Sequence, residues 1–156
     1  MVSLLVGCST TPVAVAPIGP NPAGIQNMAS NGGLEVYSRL TGRAEGDNPT
    51  WYQHTDYSIY NSQGKMIKHV ENSVGYYATA PRTVALPAGD YVVKARATDY
   101  LWVNVPVVIE QGRTTRVHLD DNWGLPADSA KGQLVLMPNG NPVGWHAETA
   151  KGFGMN

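Results

Sequence analysis

The chain has 156 residues, of which 42% are hydrophobic and 15% charged, and its formal net charge is −1. This length allows one domain with a core of its own, and the nearly neutral charge gives no field that would attract nucleic acid. Seventeen glycines and eleven prolines predict frequent turns, and the single cysteine excludes an intramolecular disulfide and a cysteine-based zinc cluster.

The first feature along the chain is a short apolar run that ends in this cysteine. The run Leu5-Val6-Gly7-Cys8 resembles the lipobox of bacterial lipoprotein signal peptides. The resemblance implies that the Cys8 thiol receives a diacylglyceryl group and that cleavage before Cys8 makes it the first residue. Signal peptides begin with a basic region, which the seven preceding residues lack. We therefore expect residues 1–8 to be a truncated lipoprotein signal with its lipidated cysteine; the alternative is an apolar strand with a buried thiol.

Residues 9–33 follow, with prolines and glycines at short intervals and no periodic apolar face. Such a segment favours extended conformations and buries little surface, so we expect a flexible tether between the lipid anchor and the folded domain. In Gram-negative lipoproteins an aspartate after the cysteine often marks retention in the inner membrane. Ser9 stands there instead, so the resemblance implies a cell-envelope protein anchored to the outer membrane.

From residue 34 onward the dominant hydrophobic signal has a period of two, which is typical of strands with one packed and one solvated face. We expect a folded domain over 34–150 and a frayed tail over 151–156. The turn Ser62-Gln63-Gly64-Lys65 predicts a hairpin, and Pro106 predicts that its strand is an edge or bulges there. The predicted strands are 34–40, 55–61, 66–70, 74–79, 83–86, 90–97, 102–109 and 113–119, followed by a last hairpin of 133–137 and 143–147.

The centre of the domain resembles the carboxypeptidase regulatory-like domains, which are transthyretin-like sandwiches. The resemblance rests first on a predicted strand that ends at Leu86, the turn Pro87-Ala88-Gly89, and a strand from Asp90 in which apolar and polar residues alternate. It rests also on the two predicted strands on either side of Gly112, the first rich in valine and the second containing threonine. It implies an antiparallel β-sandwich, transthyretin-like or immunoglobulin-like, with about seven strands plus the C-terminal hairpin. Domains of this family are generally accessory or structural modules without catalytic activity.

No spacing of residues in the chain predicts catalysis, a cofactor or a metal. One cluster contains residues that can bind metals: the imidazole of His118 lies close in sequence to the carboxylates of Asp120 and Asp121. No further donors follow at the spacing of a calcium or zinc site. A solvated strand end is the simpler interpretation. No serine lies in a nucleophile elbow, so we expect a protein that is not an enzyme.

Aromatic residues near predicted turns give the sequence its clearest binding hypothesis. Trp51, Tyr52, Tyr100 and Trp123 can stack on sugar rings or anchor a protein partner if they are exposed. Lys94, Arg96 and Arg116 are predicted to form a basic stripe on the solvated face of neighbouring strands, although such a stripe is often ordinary solvation.

Two functions remain open at this stage. The first is a non-catalytic envelope lipoprotein whose sandwich serves as a structural or protein-interaction module at the membrane surface. The alternative is a module that binds carbohydrate or peptidoglycan through the aromatics. A coplanar exposed platform of the four rings would favour the sugar, whereas burial or dispersal of the rings would favour the interaction role.

Overall fold

The computed structural model describes residues 13–20, 31–43, 51–72, 80–124 and 133–147, with the side chains of 43, 51 and 52 excepted. The regular elements in these ranges are all β-strands. The strands are β1 (Val13–Ala14), β2 (Ile18–Gly19), β3 (Gly32–Tyr37), β4 (Leu40–Arg43), β5 (Trp51–His54), β6 (Tyr57–Asn61), β7 (Met66–Val70), β8 (Thr83–Leu86), β9 (Gly89–Ala97), β10 (Tyr100–Ile109), β11 (Thr114–His118), β12 (Leu134–Leu136) and β13 (Pro142–His146).

Most of these strands form one large sheet, in the order β12-β13-β2-β10-β9-β6-β7, with β1 also paired to β10. Along β9 and β10 the side chains alternate between buried and half-buried, as the period of two predicts. The fully buried face of β10 carries Val103, Val105, Val107 and Ile109. This face forms one wall of the hydrophobic core.

A smaller sheet in the order β11-β3-β8 covers that wall, and Leu34, Val36, Val84 and Val117 of its strands belong to the same buried cluster. Strands β4 and β5 form a separate two-stranded ribbon. The prediction of an all-β sandwich is confirmed. Most strand pairs are antiparallel, but β1 and β2 pair with β10, and β3 with β11, in parallel.

The N-terminal part of the fold differs from the expected tether. Within 9–33, Val13–Ala14 and Ile18–Gly19 are strands of the large sheet, and the Ile18 side chain is completely buried. The reason is tertiary, because β2 fills the space between β10 and β13 and so completes the ladder on both of its sides. Strand β3 also begins at Gly32, before the predicted boundary at 34. Cys8 and the tail 151–156 lie outside the described residues.

Two local predictions about strands have opposite outcomes. The hairpin is confirmed: Gly64 adopts a φ of 80°, and the Asn61 side chain accepts bonds from the amides of Gln63 and Lys65. The expectation of an edge or bulge at Pro106 is wrong, because β10 is an interior strand and Pro106 lies in regular register with Val92. The predicted strand 74–79 lies outside the described residues.

Candidate functional site

One end of the sandwich holds a column of stacked rings. The parallel pairing of β3 with β11 sets Tyr37 beside His118, and their rings stack at 4.5 Å between centroids. Asp121 follows β11 with a φ of 62°, a left-handed conformation that aspartate tolerates. The chain then continues to Trp123, whose indole lies on His118 at 4.2 Å and 7° between planes. Trp145 of β13 meets Trp123 edge-on.

Burial shifts the pKa values of His118 in the column and of the neighbouring Asp120. Because the imidazole is largely removed from water, with Arg116 as a second and smaller cause, the pKa of His118 falls to about 4. Burial likewise raises the pKa of Asp120. His118 is therefore a neutral ring at physiological pH, and it serves the column as a flat stacking surface rather than as a cation.

A hollow of about 330 Å³ opens beside the column, lined by Tyr37, Leu40, His118, Asp120, Asn122 and Trp123. Its walls combine aromatic rings with a carboxylate and an amide. Asp120 also accepts a hydrogen bond from the Asn122 backbone amide at 3.3 Å, which holds the loop against the end of β11. The hollow offers a ligand both an apolar surface and hydrogen-bonding groups.

The predicted aromatic platform is described only in part. Tyr100 and Trp123 both lie near His118 at this end: Tyr100 lines a small crevice with it, and Trp123 stacks on it. The Tyr100 hydroxyl accepts a bond from the Asn139 amide at 3.2 Å. One face of the Trp123 indole is therefore covered by His118 and is not open to a ligand. The side chains of Trp51 and Tyr52 lie outside the described residues.

The outer face of the large sheet, which points away from the core, is a second site of interest. On this face Lys94 stands between Ser58 of β6 and Asn104 of β10, and Val92 stands between Tyr60 and Pro106. We call the surface formed by Asp90, Val92, Lys94 and Arg96 of β9, with the neighbouring side chains of β6 and β10, the outer groove. Two adjoining hollows of about 440 and 360 Å³ lie along it and share Ser62 and Val92.

Trp102 dominates one end of the outer groove. The Lys94 Nζ lies 5.6 Å and the Arg96 Cζ 4.9 Å from the centre of its ring, both within the range of cation–π attraction. No carboxylate among the described residues lies within 4 Å of either cation. Within the described part of the chain, two positive charges and an indole are therefore held together without a carboxylate as counter-ion.

The predicted basic stripe is only partly correct. Lys94 and Arg96 share the outer groove, but Arg116 belongs to the smaller sheet, where its Nε donates to Glu35 at 2.9 Å. Sequence periodicity predicts which residues of one strand share a face, and it does not predict which strands become neighbours. Trp102 was missed as a site residue for a similar reason, since only the pairing of β9 with β10 brings it to the two cations.

A third cluster brings a histidine between two polar groups on the β6–β7 hairpin. The His69 Nδ1 lies 3.1 Å from the Ser58 hydroxyl, and its Nε2 lies 3.6 Å from a carboxylate oxygen of Asp56. About half of the His69 and Asp56 side chains is exposed. Strand β6 is paired on both sides, so its amides are used in the ladders and are not free to bind an oxyanion.

Within the described residues no group of three or more His, Cys, Asp and Glu side chains could hold a metal ion. The same part of the chain has no helix of the length and apolar character that crossing a membrane requires. Comparison with known proteins gave no match: no family model matches the chain, and no curated protein or solved structure matches it significantly.

Proposed function

We propose that this protein is a non-catalytic interaction module of the bacterial cell envelope, anchored by a lipid on Cys8 and contacting a partner protein through the outer groove. The anchor rests on the lipobox-like run Leu5-Val6-Gly7-Cys8. The interaction role is supported above all by Trp102 with Lys94 and Arg96, two cations that pair with no carboxylate of the described residues.

This arrangement suits recognition better than stability. Tryptophan and arginine are the residues most enriched among those that dominate binding energy at protein interfaces. Two like charges close together repel each other in the free protein, and an anionic partner would relieve that repulsion. The stacking of Trp123 on His118, which covers one face of the indole, also favours the interaction role over a flat sugar-binding platform.

Photo-crosslinking in the envelope tests the interaction role. A photoreactive amino acid is placed at Asn104 or Val108 in the outer groove, and at exposed Ala85 of β8 as the control. We expect one discrete protein adduct from the groove positions and none from Ala85, and we expect the adduct to weaken when Lys94 and Arg96 are both changed to Gln. Adducts of equal yield at all three positions, or none at all, would reject the role.

Intact mass spectrometry of the membrane fraction tests the anchor. The gene is expressed in a bacterial host from its upstream in-frame start, and a Cys8→Ala variant serves as the control. We expect a chain that begins at Cys8 and carries lipid mass, with the variant absent from the membrane fraction. An unprocessed chain without lipid would reject the anchor, and Cys8 would then be interpreted as a buried or redox-active thiol.

The hollow beside the ring column supports a second candidate function, the binding of a carbohydrate or peptidoglycan fragment. The rings of Trp123 and Tyr37 line the hollow beside Asp120 and Asn122, whose polar groups can form hydrogen bonds with the hydroxyls of a sugar. Titration with soluble peptidoglycan fragments, monitored by tryptophan fluorescence, tests it. We expect saturation that Trp123→Ala abolishes and that Trp102→Ala leaves unchanged; equal responses in both variants would contradict a site at this hollow.

A further inference from the structure

The charge of the side chains in the outer groove changes in a fixed order along β9. Side chains two residues apart point to the same face of a strand, so Asp90, Val92, Lys94 and Arg96 form one row. The row begins with a carboxylate, continues through an apolar position and ends with two cations. Pro106 and Val108 of β10 stand beside its apolar part, opposite Val92 and Asp90. An occupant with the complementary order of charges would fit it in one orientation only.

The dimensions suit an extended chain. At about 3.3 Å per residue, the six steps from Asp90 to Arg96 span about 20 Å, and Lys94 and Arg96 are about 6.6 Å apart. A peptide in an extended conformation places its own alternate side chains at this same spacing. Strands β6, β9 and β10 are each paired on both sides, so the peptide cannot join the sheet as a further strand and must be recognised through side chains.

We propose that the outer groove binds an extended acidic segment of a partner protein, about seven residues long, whose alternate side chains complement the row on β9. Two acidic side chains at positions i and i+2 face Lys94 and Arg96, and the aliphatic part of the segment packs against Trp102. An apolar side chain at i−2 or i+4 faces Val92. This inference rests on the proposed interaction role and specifies the chemistry of the partner.

The same cations would also attract an anionic glycan, but the other half of the groove favours a peptide. Val92, Pro106 and Val108 present an apolar surface that matches an aliphatic side chain, whereas the rim of a sugar ring carries hydroxyls. A polymer with a negative charge on every unit would meet Asp90 unfavourably, whereas a peptide can confine its acids to the end of the groove that holds Lys94 and Arg96.

A display library of random octapeptides, selected on the purified full chain, tests the inference without presupposing a sequence. We expect enriched peptides to carry two acidic residues separated by one position, with an apolar residue two positions away. The best peptide is then measured by fluorescence anisotropy against four proteins. These are the wild type, Trp102→Phe, the double variant Lys94→Gln with Arg96→Gln, and Lys68→Gln as a control that removes one positive charge outside the groove.

Lys68 lies opposite buried Ile59 in the register and therefore points to the other face of the sheet. We expect the double variant to bind about tenfold more weakly and Trp102→Phe several-fold more weakly, with Lys68→Gln within twofold of the wild type. Circular dichroism of each variant verifies that it is folded. Equal loss in Lys68→Gln would mean that only overall charge matters, which would overturn the inference.

Three other outcomes would also overturn it: no enriched sequence, enriched peptides without the acidic pair, or binding of polygalacturonate in preference to every peptide. The crosslinking experiment then distinguishes a failure of this inference from a failure of the proposed interaction role. A groove-specific adduct without acidic-peptide binding would reject the chemistry proposed for the partner and retain the interaction role. The absence of both would reject the interaction role itself.

Discussion

Truncation of Ile18 tests whether the N-terminal segment belongs to the folded domain. Its side chain is completely buried in β2, between Val107 of β10 and His146 of β13 in the register. Gly144 of β13 faces it so closely that an added Cβ would lie 2.5 Å from the Ile18 Cγ2 atom. If this segment were the flexible tether that its sequence predicts, Ile18→Ala would barely change stability.

The expected loss of stability in Ile18→Ala follows from the number of buried atoms that the substitution removes. Ile18→Ala deletes three carbons, each worth about 0.8 kcal/mol when buried, which gives about 2.4 kcal/mol. The cavity left between β10 and β13 adds to this, so we expect the free energy of unfolding to fall by about 3–4 kcal/mol. The same substitution at Ile67, whose side chain is 44% exposed on β7, should cost less than about 1 kcal/mol.

Urea unfolding followed by tryptophan fluorescence measures both variants. We expect the midpoint for Ile18→Ala to shift by more than about 1 M with an unchanged slope, and the midpoint for Ile67→Ala to shift much less. A loss below about 0.5 kcal/mol for Ile18→Ala would refute the assignment of β2 to the core. A double-mutant cycle adds a second criterion, because Gly144→Ala should cost several-fold less once Ile18 is alanine.

Three further predictions concern buried polar groups. The Tyr57 hydroxyl is buried and has no hydrogen-bond partner among the described residues, so Tyr57→Phe should raise the free energy of unfolding by about 1 kcal/mol in the same urea assay; a loss above about 1 kcal/mol would contradict this. Buried Asn72 donates to the Val36 carbonyl at 2.7 Å and accepts from the Arg82 amide at 3.0 Å. Asn72→Ala should therefore cost about 3 kcal/mol and speed hydrogen exchange at Arg82, and an unprotected amide in the wild type would refute the contact. The pKa of His118, about 4 when folded and about 6.5 when unfolded, means that the folded state binds fewer protons between these values. Stability should thus fall by about 2 kcal/mol as the pH drops from 6.5 to 4, and His118→Gln should flatten that part of the profile; NMR titration of the imidazole near pH 6.5 would contradict it.

The fold class could be predicted because its signals are local. Alternation along 90–97 and 102–109 identifies which side chains enter the core, and the turn at Gly64 requires a positive φ that glycine adopts readily. These features depend on residues close together in the chain. They hold wherever the strands are finally placed.

The site depends on the pairing of strands that are distant in sequence, which local periodicity does not contain. Tyr37 and His118 are 81 residues apart and stack only because β3 and β11 run parallel in register. Trp102 meets Lys94 and Arg96 only because β9 and β10 pair, with a shift in register between Tyr100 and Val103.

The N-terminal segment gives the same lesson. The sequence by itself determined an all-β chain with its inward faces, its turns and a lipobox-like start. Only the tertiary structure decided that Ile18, in a stretch rich in proline and glycine, is a core residue. The physical reason is that a two-residue strand has no periodicity of its own, and its stability comes from a gap between β10 and β13 that exists only after the sheet has formed.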